Sequence, residues 1–254
     1  MRIVLIGAGN LATNLAKALI KAKHEIVQVF SRTEESAEAL AQIAGCESTT
    51  DIYNIRCDAD IYIFSVKDSV LERLANCVAD SVHGKLFVHT AGSMPMDILP
   101  VERRGVLYPM QTFSKSREVD FAEIPTFVEA EQKNDLVVLK SLAESISGNV
   151  RVLPSEDRKS LHVAAVFACN FVNHCYRLSE KVLAKYDLPF SVMLPLVDET
   201  ARKVHEISPK DAQTGPAVRW DENVMLEHKQ MLKDDDMMRE IYELLSKSIH
   251  NDKL

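Results

Sequence analysis

The 254-residue chain has a formal net charge of -7, with 46% hydrophobic and 26% charged residues. This fits a globular protein with room for two domains, and the acidic balance argues against nucleic acid as a partner, because polyanion binders present a basic face. Five cysteines show neither a C-x-x-C pair nor metal-ligand spacing, and no apolar run approaches the roughly 20 residues of a membrane span. Free thiols, a cytoplasmic location, no metal and no membrane partner are therefore expected.

In chain order, "RIVLIG" (2–7) reads as an apolar strand and "NLATNLAKALIKA" as an amphipathic helix. Between them the turn G-A-G-N-L-A fits the pattern G-x-G-x-x-G/A. In that pattern Gly7 permits the bend, and Gly9 lets a pyrophosphate approach the backbone. Asn10 and Leu11 open the helix with free N–H groups, and Ala12 leaves room for the helix to pack on the strand. The second strand, "EIVQVF" (25–30), ends in Ser31, Arg32 and Thr33. NAD-binding folds usually place Asp or Glu there to hold the adenine ribose hydroxyls. A guanidinium and two hydroxyls instead offer donors to a 2′-phosphate, so NADP is expected over NAD. The alternative for Arg32 is a solvated turn residue.

The helix "EESAEALAQIA" follows, then a strand "DIYIFSV" (60–66) whose end is expected to put Val66 and Lys67 near the cofactor, the alternative for Lys67 being a surface lysine. After the helix "DSVLERLANCVA" comes the strand "KLFVHT" (85–90), followed by Ala91, Gly92 and Ser93, small enough for backbone to approach the nicotinamide ribose or the substrate. "IPTFVEA" (124–130), the helix "NDLVVLKSLAESI" and "VRVL" (150–153) complete the alternation. The pattern predicts a Rossmann-like, doubly wound and mostly parallel α/β sheet.

Pro154 and the polar "SEDRKS" mark a boundary near 153. Beyond it the pattern is helical: 161–186, 191–206, an irregular 207–220, then 221–232 and 236–249, with Asp221 and Asp236 as N-caps of the last two. Residues 1–153 form the expected NADP-binding domain, and 154–254 an all-α domain. Cys169, in an apolar stretch, is expected to be a small buried filler.

"IGAGNLA", "SRT" and "VKDS" resemble the N-terminal domains of pyrroline-5-carboxylate reductase and the deazaflavin-dependent NADP oxidoreductases. "HTAGSMPMDIL", "GVLYPMQTFS", "LHVAAVFACNF" and "TGPAVRWDENVMLEH" are similar to a bacterial family whose helical second domain has no assigned function. The resemblance implies a cytoplasmic NADP-dependent oxidoreductase, dimeric through its helical domain, and names no substrate. One departure matters. The β-hydroxyacid dehydrogenases carry a lysine four residues before an asparagine on the first interdomain helix; with Asn170 as that asparagine, the lysine position is Val166.

His162 and Asn170 remain as candidates for the chemistry. In an uninterrupted α-helix they lie about 12 Å apart along the axis and about 80° apart around it, and so bracket a small substrate. Histidine protonates an oxygen or nitrogen near neutral pH, and Asn170 orients a carbonyl or carboxylate. The alternative for His162 is a backbone-satisfying role at a helix start. Ser93 and Arg219 are candidate substrate-binding residues, Arg219 as a clamp for a carboxylate. Asp221 and His228, seven residues apart on one face, are expected to form a structural pair. The expected reaction is reduction of C=O or C=N in a small molecule; a non-catalytic NADP-binding sensor is the competing class.

Overall fold

The computed structural model describes residues 1–253. It divides into two compact units, Met1–Asn170 and Phe171–Leu254. In the first unit eight strands form one sheet: β1 Arg2–Ile6, β2 Glu25–Phe30, β3 Glu47–Thr49, β4 Ile61–Phe64, β5 Leu86–His89, β6 Arg104–Pro109, β7 Thr126–Ala130 and β8 Val150–Val152. Their order is β3-β2-β1-β4-β5-β6-β7-β8, with every neighbouring pair parallel except β6 and β7.

The helices of this unit are α1 Asn10–Lys21, α2 Glu34–Ala44, α3 Asp68–Ala79, α4 Lys133–Glu144 and α5 Ser155–Ala165. Both sheet faces are covered, which is why the strands are apolar without alternation. Ile3 and Leu5 of β1 pack with Leu15 of α1, Leu40 of α2 and Leu139 of α4. Val4 and Ile6 point the opposite way, into a cluster with Phe64, Phe87 and Leu71 and Leu74 of α3. The chain runs from β1 outward to β2 and β3, then returns across β1 to β4. That reversal makes the carboxyl ends of β1 and β4 a topological switch point, where open α/β sheets bind ligands.

Two strands were not expected. β3 is three residues on an edge with little apolar content, and β6, "RGVLYP", is interrupted by glycine and closed by proline. Their pairing comes from neighbours rather than from local pattern.

The polar stretch expected to mark the domain boundary is also different. Ser155–Ala165 is the helix α5, and Arg158 within it is 0% exposed. Leu161 packs against Val106, Tyr108 and Phe127 of β6 and β7, so α5 belongs to the first unit and the division falls at 170/171. A π-helical turn, Val166–Phe171, follows α5. Cys169 on this turn is exposed, not buried: α5 packs on the sheet through Arg158 and Leu161, and the π turn lies beyond that contact.

The second unit contains α6 Val172–Ala184, α7 Leu194–Glu206, α8 Pro209–Ala212, α9 Pro216–Arg219, α10 Glu222–Met231 and α11 Asp236–Lys253. The Asp221 side chain accepts from the Val224 N–H, the expected N-cap of α10. For α11 the cap is one residue earlier than expected: Asp235 Oδ1 accepts from the Met238 N–H at 3.0 Å, and Asp236 is already helical. Among the described residues no helix is long and apolar enough to cross a membrane.

Candidate dinucleotide site and its histidine

A pocket of about 650 Å³ lies at the switch point. It is lined by Gly7, Gly9, Asn10 and Leu11 after β1, and by Ser31, Arg32 and Thr33 after β2. Val66 and Lys67 after β4 and Ala91 after β5 line it too. α1, α2 and α3 begin at this pocket, so three sets of unpaired helix N–H groups surround it. Thr33 is the N-cap residue of α2, yet its hydroxyl makes no cap bond.

The two glycines of the turn have different reasons to be glycine. Gly7 has φ +118°, and a Cβ there would stand 2.1 Å from the Ser65 carbonyl oxygen. Gly9 has φ -79° and ψ -172°, ordinary extended backbone, and a Cβ there meets nothing within 4 Å. Only Gly7 is demanded by the fold. The open space at Gly9 is what a pyrophosphate against the backbone needs. Ala12, 0% exposed, packs in the core and does not line the pocket.

Ser36, Arg73 and Lys115 also line the pocket and were missed in the sequence. Ser36 and Arg73 sit in the first two turns of α2 and α3, so helix periodicity places them near the ends that carry Thr33 and Lys67. Lys115 has no local signal. Buried Asn14 of α1 donates from Nδ2 to the Asn10 carbonyl at 2.9 Å and to the Ser114 carbonyl at 3.1 Å, tying that distant loop to the turn.

Gly92 and Ser93 do not line this pocket. Ser93 Oγ donates to the Asp68 carboxylate, and a Cβ on Gly92 would stand 2.5 Å from His162 Nδ1. This turn is held from below by His89, which is 0% exposed. His89 Nδ1 accepts from the Ala91 N–H at 3.1 Å, and Nε2 donates to the Pro95 carbonyl at 3.2 Å. Both bonds suit a neutral ring. Burial, aided by the nearby Arg158 charge, lowers the His89 pKa from 6.5 to about 4.

Between those values the unfolded chain binds a proton that the folded chain refuses. Stability should therefore fall as pH drops from 6.5 toward 4, by up to about 3 kcal/mol from this residue. Urea unfolding of wild type and His89→Asn across that range checks it: the difference between the two should shrink as pH falls. Parallel pH dependences would show that His89 is not the titrating group.

His162, half-buried on α5, meets Tyr108 at the end of β6: Nδ1 and the Tyr108 hydroxyl are 3.1 Å apart, and the rings are edge to face at 6.0 Å. Tyr108 was not recognised in the sequence, because β6 was not. Asn170 is exposed on the π turn, so the expected 80° offset from His162, which assumed a continuous α-helix, does not hold. Arg219 is exposed at the end of α9 in the second unit. The expected Asp221–His228 pair is replaced by separate partners: Asp221 caps α10, and His228 Nδ1 meets the Tyr242 hydroxyl at 2.9 Å. An N-cap turned back onto its own first turn cannot also reach a side chain two turns on.

A doubly wound sheet, a glycine turn into a helix and a pocket at the switch point define a Rossmann-type dinucleotide-binding protein. Residues 2–92 match the family described as NADP oxidoreductase, coenzyme F420-dependent, and residues 124–249 match Domain of unknown function (DUF2520). A Bacteroides fragilis protein provisionally assigned as an NADP oxidoreductase is 57% identical, with 98% of each chain covered and a TM-score of 0.95. The chain belongs to that NADP oxidoreductase family. A Thermotoga maritima protein (23% identity, 99% and 98% covered, TM-score 0.72) shares the fold. So does an imine reductase from Myxococcus stipitatus in complex with NADP+ (14% identity, 99% and 93% covered, TM-score 0.70). A comparison with curated protein sequences gave no match.

Proposed function

We propose that the protein is an NADP-dependent oxidoreductase acting on a C=O or C=N group of a small, carboxylate-bearing molecule. One observation carries the reading: Gly9 faces open space with unstrained backbone, in a pocket that Arg32 and no β2-end carboxylate lines. The imine reductase neighbour was solved with NADP+, and a Plasmodium falciparum pyrroline carboxylate reductase with NADP bound.

Gly7, Gly9, Asn10 and Leu11, with the start of α1, would hold the pyrophosphate; Ser31, Arg32 and Thr33 would hold the 2′-phosphate. Val66, Lys67 and Ala91 serve the remainder. When bound, the cofactor supplies hydride to the substrate carbon. His162 supplies a proton to the substrate oxygen or nitrogen, while Asn170 and Ser93 orient the substrate. The roles of the two units follow: 1–170 binds the cofactor and carries the candidate proton donor, and 171–254 dimerises. Exposed Leu194, Leu196, Leu226 and Leu244 support a homodimer, and five free cysteines support a cytoplasmic location. A sensor without catalysis is the second reading, favoured by Val166 at the lysine position of related dehydrogenases.

Calorimetry tests the proposal. The wild type should bind NADPH more tightly than NADH. Arg32→Glu should weaken NADPH by about 10- to 150-fold, the worth of one or two charge-assisted bonds, with little effect on NADH. Tighter NADH binding, or no NADPH binding, would overturn the reading.

A further inference from the structure

His162 entered the proposal as a proton donor, but an imidazole has two nitrogens, and which of them carries the proton decides what it does. We propose that Tyr108 is a positioning residue that donates its O–H to His162 Nδ1, leaving the neutral ring with its proton on Nε2, the nitrogen presented to substrate. This deepens the function proposed above and rests on it only for the word substrate.

Tyr108 is 7% exposed, and its hydroxyl lies 3.1 Å from Nδ1. A buried O–H needs an acceptor. Neutral imidazole with Nδ1 unprotonated provides one at 3.1 Å; the opposite tautomer, donating from Nδ1, takes that acceptor away. Burial raises the Tyr108 pKa, with Arg158 opposing it, so the phenol carries that hydrogen at neutral pH.

Three contacts keep the pair in register. Gly92 leaves the His162 ring room, since any side chain there would stand 2.5 Å from Nδ1 and 3.0 Å from Tyr108 Cε2. Leu161, next to His162, packs on the β6–β7 face. Arg158, one turn earlier on α5, is bonded to Glu129 and to the Met94 carbonyl.

The consequence for a reduction is a balanced step. As the Nε2–H bond breaks toward the substrate oxygen or nitrogen, the phenol proton moves to Nδ1. The ring stays neutral and the charge ends on the Tyr108 oxygen, near the Arg158 guanidinium. A proton from water at Nε2, with the reverse shift, restores both groups.

The test needs no substrate. Long-range 1H–15N correlation spectra of the 15N-histidine-labelled full chain at neutral pH report the tautomer, and the His162 signals are assigned by their loss in His162→Gln. The expected result is pyridine-type Nδ1 and pyrrole-type Nε2 in the wild type. In Tyr108→Phe, Nδ1 should shift toward the pyrrole-type range as the tautomers mix. A wild-type ring protonated on Nδ1 overturns the inference without any variant, and so does a folded Tyr108→Phe whose His162 signals are unchanged. NADPH calorimetry on the same samples separates the two claims: absent binding sinks the proposed function while leaving the tautomer result standing.

Discussion

Gly9→Val should fold like the native chain and lose NADPH, whereas Gly7→Ala should bind poorly only because it is barely stable. At Gly7 the new Cβ would stand 2.1 Å from a backbone oxygen of Ser65, on a residue with φ +118°. Neither side can retreat, because Ile6 and Phe64, the residues just before them, are register partners in β1 and β4. Left-handed strain and overpacking together cost about 3–5 kcal/mol, a fall in Tm of about 10 °C or more for a chain this size. At Gly9 nothing is met, and the cost is at most about 1 kcal/mol for a poorer N-cap. The valine would fill the space a pyrophosphate needs, so NADPH affinity should fall at least about a hundredfold, or about 2.7 kcal/mol. Thermal unfolding and calorimetry on both variants separate the roles. A Gly9→Val protein that still binds NADPH at wild-type strength would refute the pocket assignment.

Arg158→Leu should be the most damaging change on α5. The guanidinium is 0% exposed and pairs with Glu129 Oε2 at 2.6 Å, while Nη2 reaches the Met94 carbonyl at 2.6 Å and Ser155 Oγ at 3.0 Å. Removing one partner of a buried pair leaves the other charge uncompensated, which costs about 3–5 kcal/mol. The Ser155 N–H and hydroxyl, at 3.0 and 2.7 Å from the Glu129 carboxylate, soften the loss. Arg158→Leu with Glu129→Gln should therefore recover part of it. Urea unfolding checks both, and a loss below about 1 kcal/mol would show that the network does not anchor α5.

Local chemistry was legible wherever one residue's neighbours in the chain are its neighbours in space. The run of apolar strands and amphipathic helices, the bend at Gly7, the open turn at Gly9 and the cationic end of β2 are all of this kind. So is Asp221 at the start of α10. β3, β6 and the buried face of α5 were not legible, because their hydrogen bonds and burial come from strands far along the chain. "SEDRKS" reads as solvent-loving until Glu129 and Met94 stand ready to receive Arg158.

The sequence by itself determined the doubly wound class, the glycine turn and the cationic rather than acidic end of β2, since these depend on backbone freedom, hydrophobic period and charge within short segments. Only the tertiary structure decided that Lys115 joins the pocket through Asn14, that α5 sides with the sheet, and that Tyr108 meets His162. Each of those joins residues 54 to 100 positions apart, or buries a charge that has no reason to be inside until its partner is already there.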